Sequence, residues 1–503
     1  MERYYKHKPA NIVLFEYVKE KNNLLQRHFT CARKGDKWGL WTSDILDDLL
    51  HFFSSNLLEK RYFYGDKLVD WFFGTHDTEE FNEFRRRLTK LEIEGRLFSN
   101  YRDHTNHTFL VFILGAYLYE KLSKFREYYR VQCGRDRRLD PSIPEEKDFD
   151  KVDDNFLFRW LYVSLLHDIG YTFSYVDEEN SESRSSLLPM VFRKMEPFFN
   201  HYIRYWFPSE ERSKFEDDVV DLHALLGMHM EFPEIKDKGK ISEEELQQII
   251  EWLVFCPYFK ELSSDIESTN SFEILQAYSK SFSPLHSKLL KEYFTLLATK
   301  GSGVGYEKRI FDHGILSALV YMKLVSFGLL LTMKIEDIKL DRNLTLRQQK
   351  MIRTIKENVG GFIYHRGSVY GFIGIAWAIA IHNLRPMKGD ERIASFNKTI
   401  FPIRPKDNFL ACLLYLVDVL QDWDRDKLRL EDYTSPETAS LQSYEISIEV
   451  KEEKIRISYL ESYVTKERIN KMKSDLRNLD EEVQSMIDFK PIPADAFFET
   501  EKL

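Results

Sequence analysis

Cysteine is scarce in this chain of 503 residues: Cys31, Cys133, Cys256 and Cys412 lie far apart and never form a Cys-x-x-Cys pair. That spacing excludes a zinc ribbon and signals no disulfide framework, so a reducing, cytoplasmic setting is expected. Long apolar runs are also missing. The longest, Val369 to Ile381, falls short of the roughly 18 residues that a membrane span requires and reads as a core helix. The opening residues, Met1-Glu-Arg-Tyr-Tyr-Lys-His-Lys, contain no apolar targeting region, and no membrane partner is expected. Positive charge is not in excess either. The net charge of -9 argues against broad nucleic-acid binding and leaves any anionic ligand to a metal or to locally focused arginine and lysine. No Gly-Lys-Ser/Thr follows Gly301-Ser-Gly-Val-Gly305, so that glycine cluster reads as a connector rather than a phosphate loop. The chain has no internal repeat.

What is present points to helices. A hydrophobic share of 43% and an aromatic share of 15% allow a large core of thick helix-to-helix packing, and the expected fold class is mainly α. Residues 1–100 read as a helical N-terminal region, with Asp44-Ile-Leu-Asp-Asp-Leu-Leu-His-Phe-Phe at helical spacing. Residues 101–430 read as a helical core with a helical insertion at about 172–310, and residues 134–151 as a charged, proline-broken loop. In 431–503 the period changes. Tyr444 to Val450 and Lys454 to Leu460 alternate as a β-hairpin turning at Lys-Glu-Glu, and Thr465 to Ile487 returns to helix.

The most informative segment is Asn155 to Gly170, an apolar run ending in Leu-Leu-His167-Asp168-Ile-Gly. Asp154 or Asn155 is expected to cap its helix, Trp160, Val163 and Leu166 to form the inward stripe, and Gly170 to supply a left-handed end. His167 lies four residues after Val163 and seven after Trp160, which puts its ring on the same inward face. A second His-Asp, His76-Asp77, sits in a polar, turn-like setting and reads as surface.

Four further ionisable residues stand on apolar helices. His107 opens a helix continuing through Leu110 and Leu114, His313 precedes Leu316 and Val320, His382 follows Ile375 and Ala378, and Asp418 follows Leu410 and Leu414. Taken singly, each has a structural explanation: a satisfied core histidine, or an aspartate paired with a buried arginine. Together, six such groups on separate apolar helices are better explained by a shared cation, because an unpartnered buried carboxylate is costly. Imidazole and carboxylate ligands without cysteine suit one or two divalent transition metals, Mn, Fe, Zn, Ni or Co, with Mg less suited. Catalysis through a metal-activated water is then the natural use.

The order His107, His167-Asp168, Asp418 resembles the HD superfamily of metal-dependent phosphohydrolases, over about residues 107 to 425. The resemblance implies an HD-type helical bundle in which those four residues hold one metal. His313 and His382 look like the later histidines of binuclear members, which with a bridging Asp168 would hold a second. Asp168, His313 and His382 are then expected to be catalytic, and the substrate a nucleotide or another small phosphoester. Tyr171 after the His-Asp-Ile-Gly run, Asn383 after His382 and the absence of Gly-Tyr-Pro depart from the cyclic-dinucleotide branch. The alternative is a non-catalytic scaffold that binds a nucleotide as a regulatory or oligomerisation module, and a homo-oligomer is compatible with either reading. His223 and His229 are candidates for an acid or phosphate contact, Asp312 for an orienting acceptor to His313 or a helix cap. Arg366, Arg385 and Arg425 are cations near the predicted ligands in sequence, with surface salt bridging their commoner fate.

Overall fold

The computed structural model describes residues 8–30, 43–55, 60–61, 63–65, 67–68, 105–170, 243–282, 312–337, 346, 349, 369–386, 391–423 and 442–493. They are mainly helical. Near the N-terminus stand α1 (Ala10–Lys19), α2 (Leu24–Thr30) and α3 (Ser43–Ser54). The centre holds α4 (Thr105–Lys121), α5 (Ser123–Asp136), α6 (Phe149–Leu166), α7 (Glu243–Val254), α8 (Tyr258–Leu262) and α9 (Ser271–Lys280). After these come α10 (His313–Asp337), α11 (Val369–Ile381), α12 (Glu391–Ile400) and α13 (Phe409–Leu420). The C-terminal part contains β1 (Ile446–Lys451), β2 (Lys454–Leu460), α14 (Tyr463–Leu476), α15 (Glu481–Ser485) and β3 (Ile487–Ile492).

Helix α11 explains why the bundle closes. All of its residues except Tyr370 are buried, and burying each large apolar side chain contributes about 1.5–3 kcal/mol. It packs against α6, α9, α10 and α13, while α4 packs against α6 and α13. Through α11, α6 and α13 the five segments that carry the six candidate ligands are linked into one packed set. No helix among the described residues is long and apolar enough to cross a membrane.

Helix α6 begins at Phe149, earlier than the Asp154 or Asn155 cap expected from sequence. Both residues lie inside it. Asn155 accepts from the Tyr129 hydroxyl at 2.7 Å, and Asp154 faces His28, so tertiary partners absorb the polar groups that suggested a cap. The first residues of the expected loop at 134–151 belong to α5, which runs to Asp136.

Within the expected insertion, α8 and α9 lie against the core rather than outside it. Tyr278 of α9 occupies the space a Cβ on Gly374 of α11 would need, its Oη 2.7 Å from that position. Lys323 of α10 is buried, donates to the Phe255 carbonyl at 2.8 Å and lies 4.2 Å from the Trp252 ring. Burial pushes its ammonium down to about 8. Between that value and the unfolded value near 10.5 the unfolded chain binds more protons, so the Lys323 contribution to stability rises with pH over this window. Lys323→Met is expected to stabilise the chain at pH 7 by about 1–3 kcal/mol and to remove the Lys323-dependent part of the alkaline rise. Urea titrations of both proteins at pH 7 and pH 9.5 check this; equal midpoints at pH 7 would contradict it.

The C-terminal hairpin forms as expected. Its turn places Glu452 and Glu453 at φ 54° and 57°, and Ile446 pairs with Tyr459 through to Lys451 with Lys454. The helix expected over Thr465 to Ile487 is interrupted, however, and a third strand is added: β3 runs parallel to β2, with Ile455 opposite Ile487. The chain leaves α14 because Leu479 is fully buried beside Ile403, where the Asn478 carbonyl accepts from the Ile403 amide at 2.8 Å and the Asp480 amide donates back to the Ile403 carbonyl at 3.0 Å. The sheet docks on α4 through the Tyr117 hydroxyl, which accepts from the Val450 amide at 2.9 Å.

Candidate metal centre

Two of the four histidines are aimed by helix ends. The last carbonyls of a helix lack intrahelical partners, and His167 and His382 directly follow α6 and α11. His167 Nδ1 donates to the Ser164 carbonyl at 2.7 Å and His382 Nδ1 to the Ile379 carbonyl at 2.6 Å, each three residues back. With the proton on Nδ1, each Nε2 presents a bare lone pair. Both Nε2 atoms are buried and lie 3.4 and 3.6 Å from Asp168, His167 from Oδ2 and His382 from Oδ1.

His107 reaches the same state by another route. The Gln421 amide nitrogen donates to the Trp423 carbonyl at 2.9 Å, which turns the amide oxygen toward His107 Nδ1, and that ring nitrogen donates to it. Nε2 then faces Asp418 Oδ1 at 2.9 Å. A lone pair against a carboxylate oxygen is repulsive, so a proton or a cation must lie between them.

Asp168 stands at the centre. Its Oδ2 lies 3.4 Å from His167 Nε2 and 3.8 Å from His107 Nε2, and its Oδ1 lies 3.5 Å from His313 Nε2 and 3.6 Å from His382 Nε2. One carboxylate thus offers one oxygen to each of two histidine pairs. A cation bound at about 2.1 Å with tetrahedral angles separates its donors by about 3.4 Å, close to these spacings. His107, His167 and Asp168 form one group able to hold a metal ion, and Asp168, His313 and His382 form another. Asp418 closes the first group, with Oδ1 3.9 Å from His167 Nε2. The six residues read from sequence therefore converge, and among the described residues the ion-pair partners of Asp418 are histidines rather than an arginine.

Small residues permit the convergence. A Cβ on Gly314 would meet the His382 ring at 3.1 Å, and one on Gly170 would lie 2.2 Å from the His313 carbonyl oxygen and 2.7 Å from Ser317 Oγ. Gly170 is thus required by the close approach of α10 and not by the left-handed backbone expected from sequence, since its φ lies outside that region. Its amide donates to Ser317 Oγ at 2.7 Å, tying the His-Asp turn to α10.

The electrostatics of the centre follow from burial among like and unlike charges. Burial, opposed by Asp168 and reinforced by His382 and His107, pushes His167 down to about 4. Burial also opposes protonation of His382, but Asp168, 3.6 Å from its Nε2, and the charge of Asp418 outweigh it and raise that group. Burial opposes ionisation of Asp418, yet its hydrogen bond with His107 holds it well below the usual carboxylate range. A cation and a proton would therefore compete for His382. Because its affinity for protons is raised, apparent metal affinity is expected to increase with pH through neutrality. Metal titrations at pH 6, 7 and 8 measure this; a flat profile would contradict it.

Asp312 resolves as a helix cap, Oδ1 accepting from the Gly314 and Ile315 amides at 3.0 and 3.1 Å. Arg385 is taken up by Asp475 at 3.7 Å and by the Tyr415 ring, so it is not directed at the centre. His76, Asp77, His223, His229, Arg366, Arg425 and the Gly301–Gly305 cluster lie outside the described residues. Sequence reasoning missed Gln421 as a partner of His107; a polar residue following an apolar helix was the available signal. Compared with protein families, with curated proteins and with solved structures, the chain matches none.

Proposed function

We propose that this chain is a metal-dependent phosphohydrolase built on an HD-type bundle and acting on a nucleotide or related small phosphoester. The observation that carries the reading is the divided Asp168 carboxylate, with one oxygen toward His107 and His167 and the other toward His313 and His382. His107, His167, Asp168 and Asp418 would hold one ion and Asp168, His313 and His382 would hold a second. An imidazole and carboxylate set without thiolate suits Mn, Fe, Zn, Ni or Co better than Mg. A bound divalent ion supplies Lewis acidity, which makes water a nucleophile near neutral pH and offsets charge on phosphoryl oxygens.

The residues around the centre do the rest. Two carboxylates among neutral imidazoles leave the set short of the charge of two divalent ions, and the surplus positive charge favours an anionic phosphoester in a chain that is acidic overall. His107, His167, His313 and His382 are at most 2% exposed, whereas the Asp418 side chain is 17% exposed. Substrate is therefore admitted along the Asp418 side, while the apolar walls of α6 and α11 exclude bulk water.

The test is a panel of mono-, di-, tri- and cyclic nucleotides and simple phosphoesters, offered to chelator-stripped protein reloaded with Mn²⁺ or with Mg²⁺. Turnover of at least one class, stronger with Mn²⁺, is expected. Nucleotide binding with no retained ion and no turnover would instead favour the non-catalytic scaffold.

A further inference from the structure

Three of the four imidazoles carry their proton on Nδ1, as the acceptors at Ser164, Ile379 and Gln421 require. His313 is held differently. The Asn383 amide nitrogen lies 3.0 Å from Asp312 Oδ2 and 3.2 Å from His313 Nδ1. The Asp312 carboxylate accepts the Gly314 and Ile315 amides through its other oxygen, and it offers Asn383 only an acceptor. The amide nitrogen of Asn383 must therefore face Asp312, and its second hydrogen is directed at His313 Nδ1. With Nδ1 accepting, the His313 proton sits on Nε2, the atom that faces Asp168 Oδ1 at 3.5 Å.

We propose that Asp312 and Asn383 are positioning residues that hold His313 in the proton arrangement least suited to binding an ion, so that the His313–His382 side of the centre is the weaker, exchangeable half. The inference rests on the binuclear reading above. For His313 Nε2 to coordinate an ion, its proton must move to Nδ1, which then needs an acceptor. Turning the Asn383 amide supplies one but brings its oxygen against the Asp312 carboxylate, and that repulsion is the built-in resistance. In the first half no tautomer has to change, since Gln421 already accepts from His107 Nδ1.

Asp312→Asn reverses the sign. Asparagine is an equally good N-cap, so α10 keeps its start, while the new amide nitrogen donates to the Asn383 oxygen and lets that oxygen accept from His313 Nδ1–H. In metal-free protein labelled with nitrogen-15 histidine, with His313 assigned by its loss in His313→Gln, the native chain is expected to show Nε2–H and Asp312→Asn to show Nδ1–H. In Mn²⁺ titrations the second equivalent is expected to bind about tenfold more tightly to Asp312→Asn, within the 10–100-fold range of outer-shell effects on metal sites, and the first to be unchanged. Nδ1–H on His313 in the native chain, or the same second affinity in both proteins, would overturn the proposal. The expected proton shift in a protein that binds no ion would overturn the metal-centre reading and leave the proton placement standing.

Discussion

The Asp168→Ala variant is expected to hydrolyse phosphoesters at the metal-free background rate and to retain fewer ions than the native chain. Loss of a residue that merely orients a metal ligand reduces affinity or activity 10–100-fold, so loss of a carboxylate shared by both ion positions is expected to reduce turnover by at least about 1,000-fold. No other group among the described residues faces all four imidazoles, and Asp168 does so at 3.4 to 3.8 Å. The fold should survive, because the carboxylate is itself a buried charge and alanine fits the space it vacates. Phosphate release, elemental analysis and a thermal melt on the same preparation separate the cases. Native-like ion content with native turnover would refute the assignment, and collapse of the melt would show that Asp168 is structural.

Gly170→Ala is expected to be the most damaging methyl addition near the centre. The added carbon would sit 2.2 Å from the His313 carbonyl oxygen and 2.8 Å from the Ser317 amide nitrogen. Both are backbone atoms of α10, so no side chain can rotate away, and the helix or the His-Asp turn must move. Overpacking of this kind destabilises by about 1–3 kcal/mol, and backbone contacts place this case at the upper end. The movement also separates His313 from Asp168, so the second ion should weaken while the His107 and His167 side persists. Ser317→Ala removes only the hydroxyl bridging the Gly170 amide and the His313 carbonyl; its effect should be smaller, about 1 kcal/mol. Urea unfolding with Mn²⁺ titration distinguishes them. A Gly170→Ala protein as stable and as metal-competent as the native chain would contradict the packing described here.

The helical class and the convergence of six imidazole and carboxylate groups were legible because each of these groups interrupts an apolar face that helical spacing defines: His167 after Trp160 and Val163, His382 after Ile375 and Ala378, Asp418 after Leu410 and Leu414. Distances along a helix are fixed by its pitch, so a polar residue on an apolar stripe is visible without coordinates. What escaped was tertiary. Leu479 pulls the chain out of α14 toward Ile403, and β3 then pairs with β2 across a sequence separation that no local pattern encodes. Gly170 resembled a helix terminator because sequence shows the missing Cβ but not the helix pressed against it. Asn383 was visible only as a departure from a pattern; its place between Asp312 and His313 depends on two helix ends meeting.

The most direct test of the central claim is anomalous diffraction at the manganese edge from crystals of the chain loaded with Mn²⁺. Two peaks are predicted on opposite sides of the Asp168 carboxylate, one within coordination distance of His107, His167 and Asp418, the other of His313 and His382. Density lying elsewhere in the molecule, with the imidazoles around Asp168 left uncoordinated, would contradict the account.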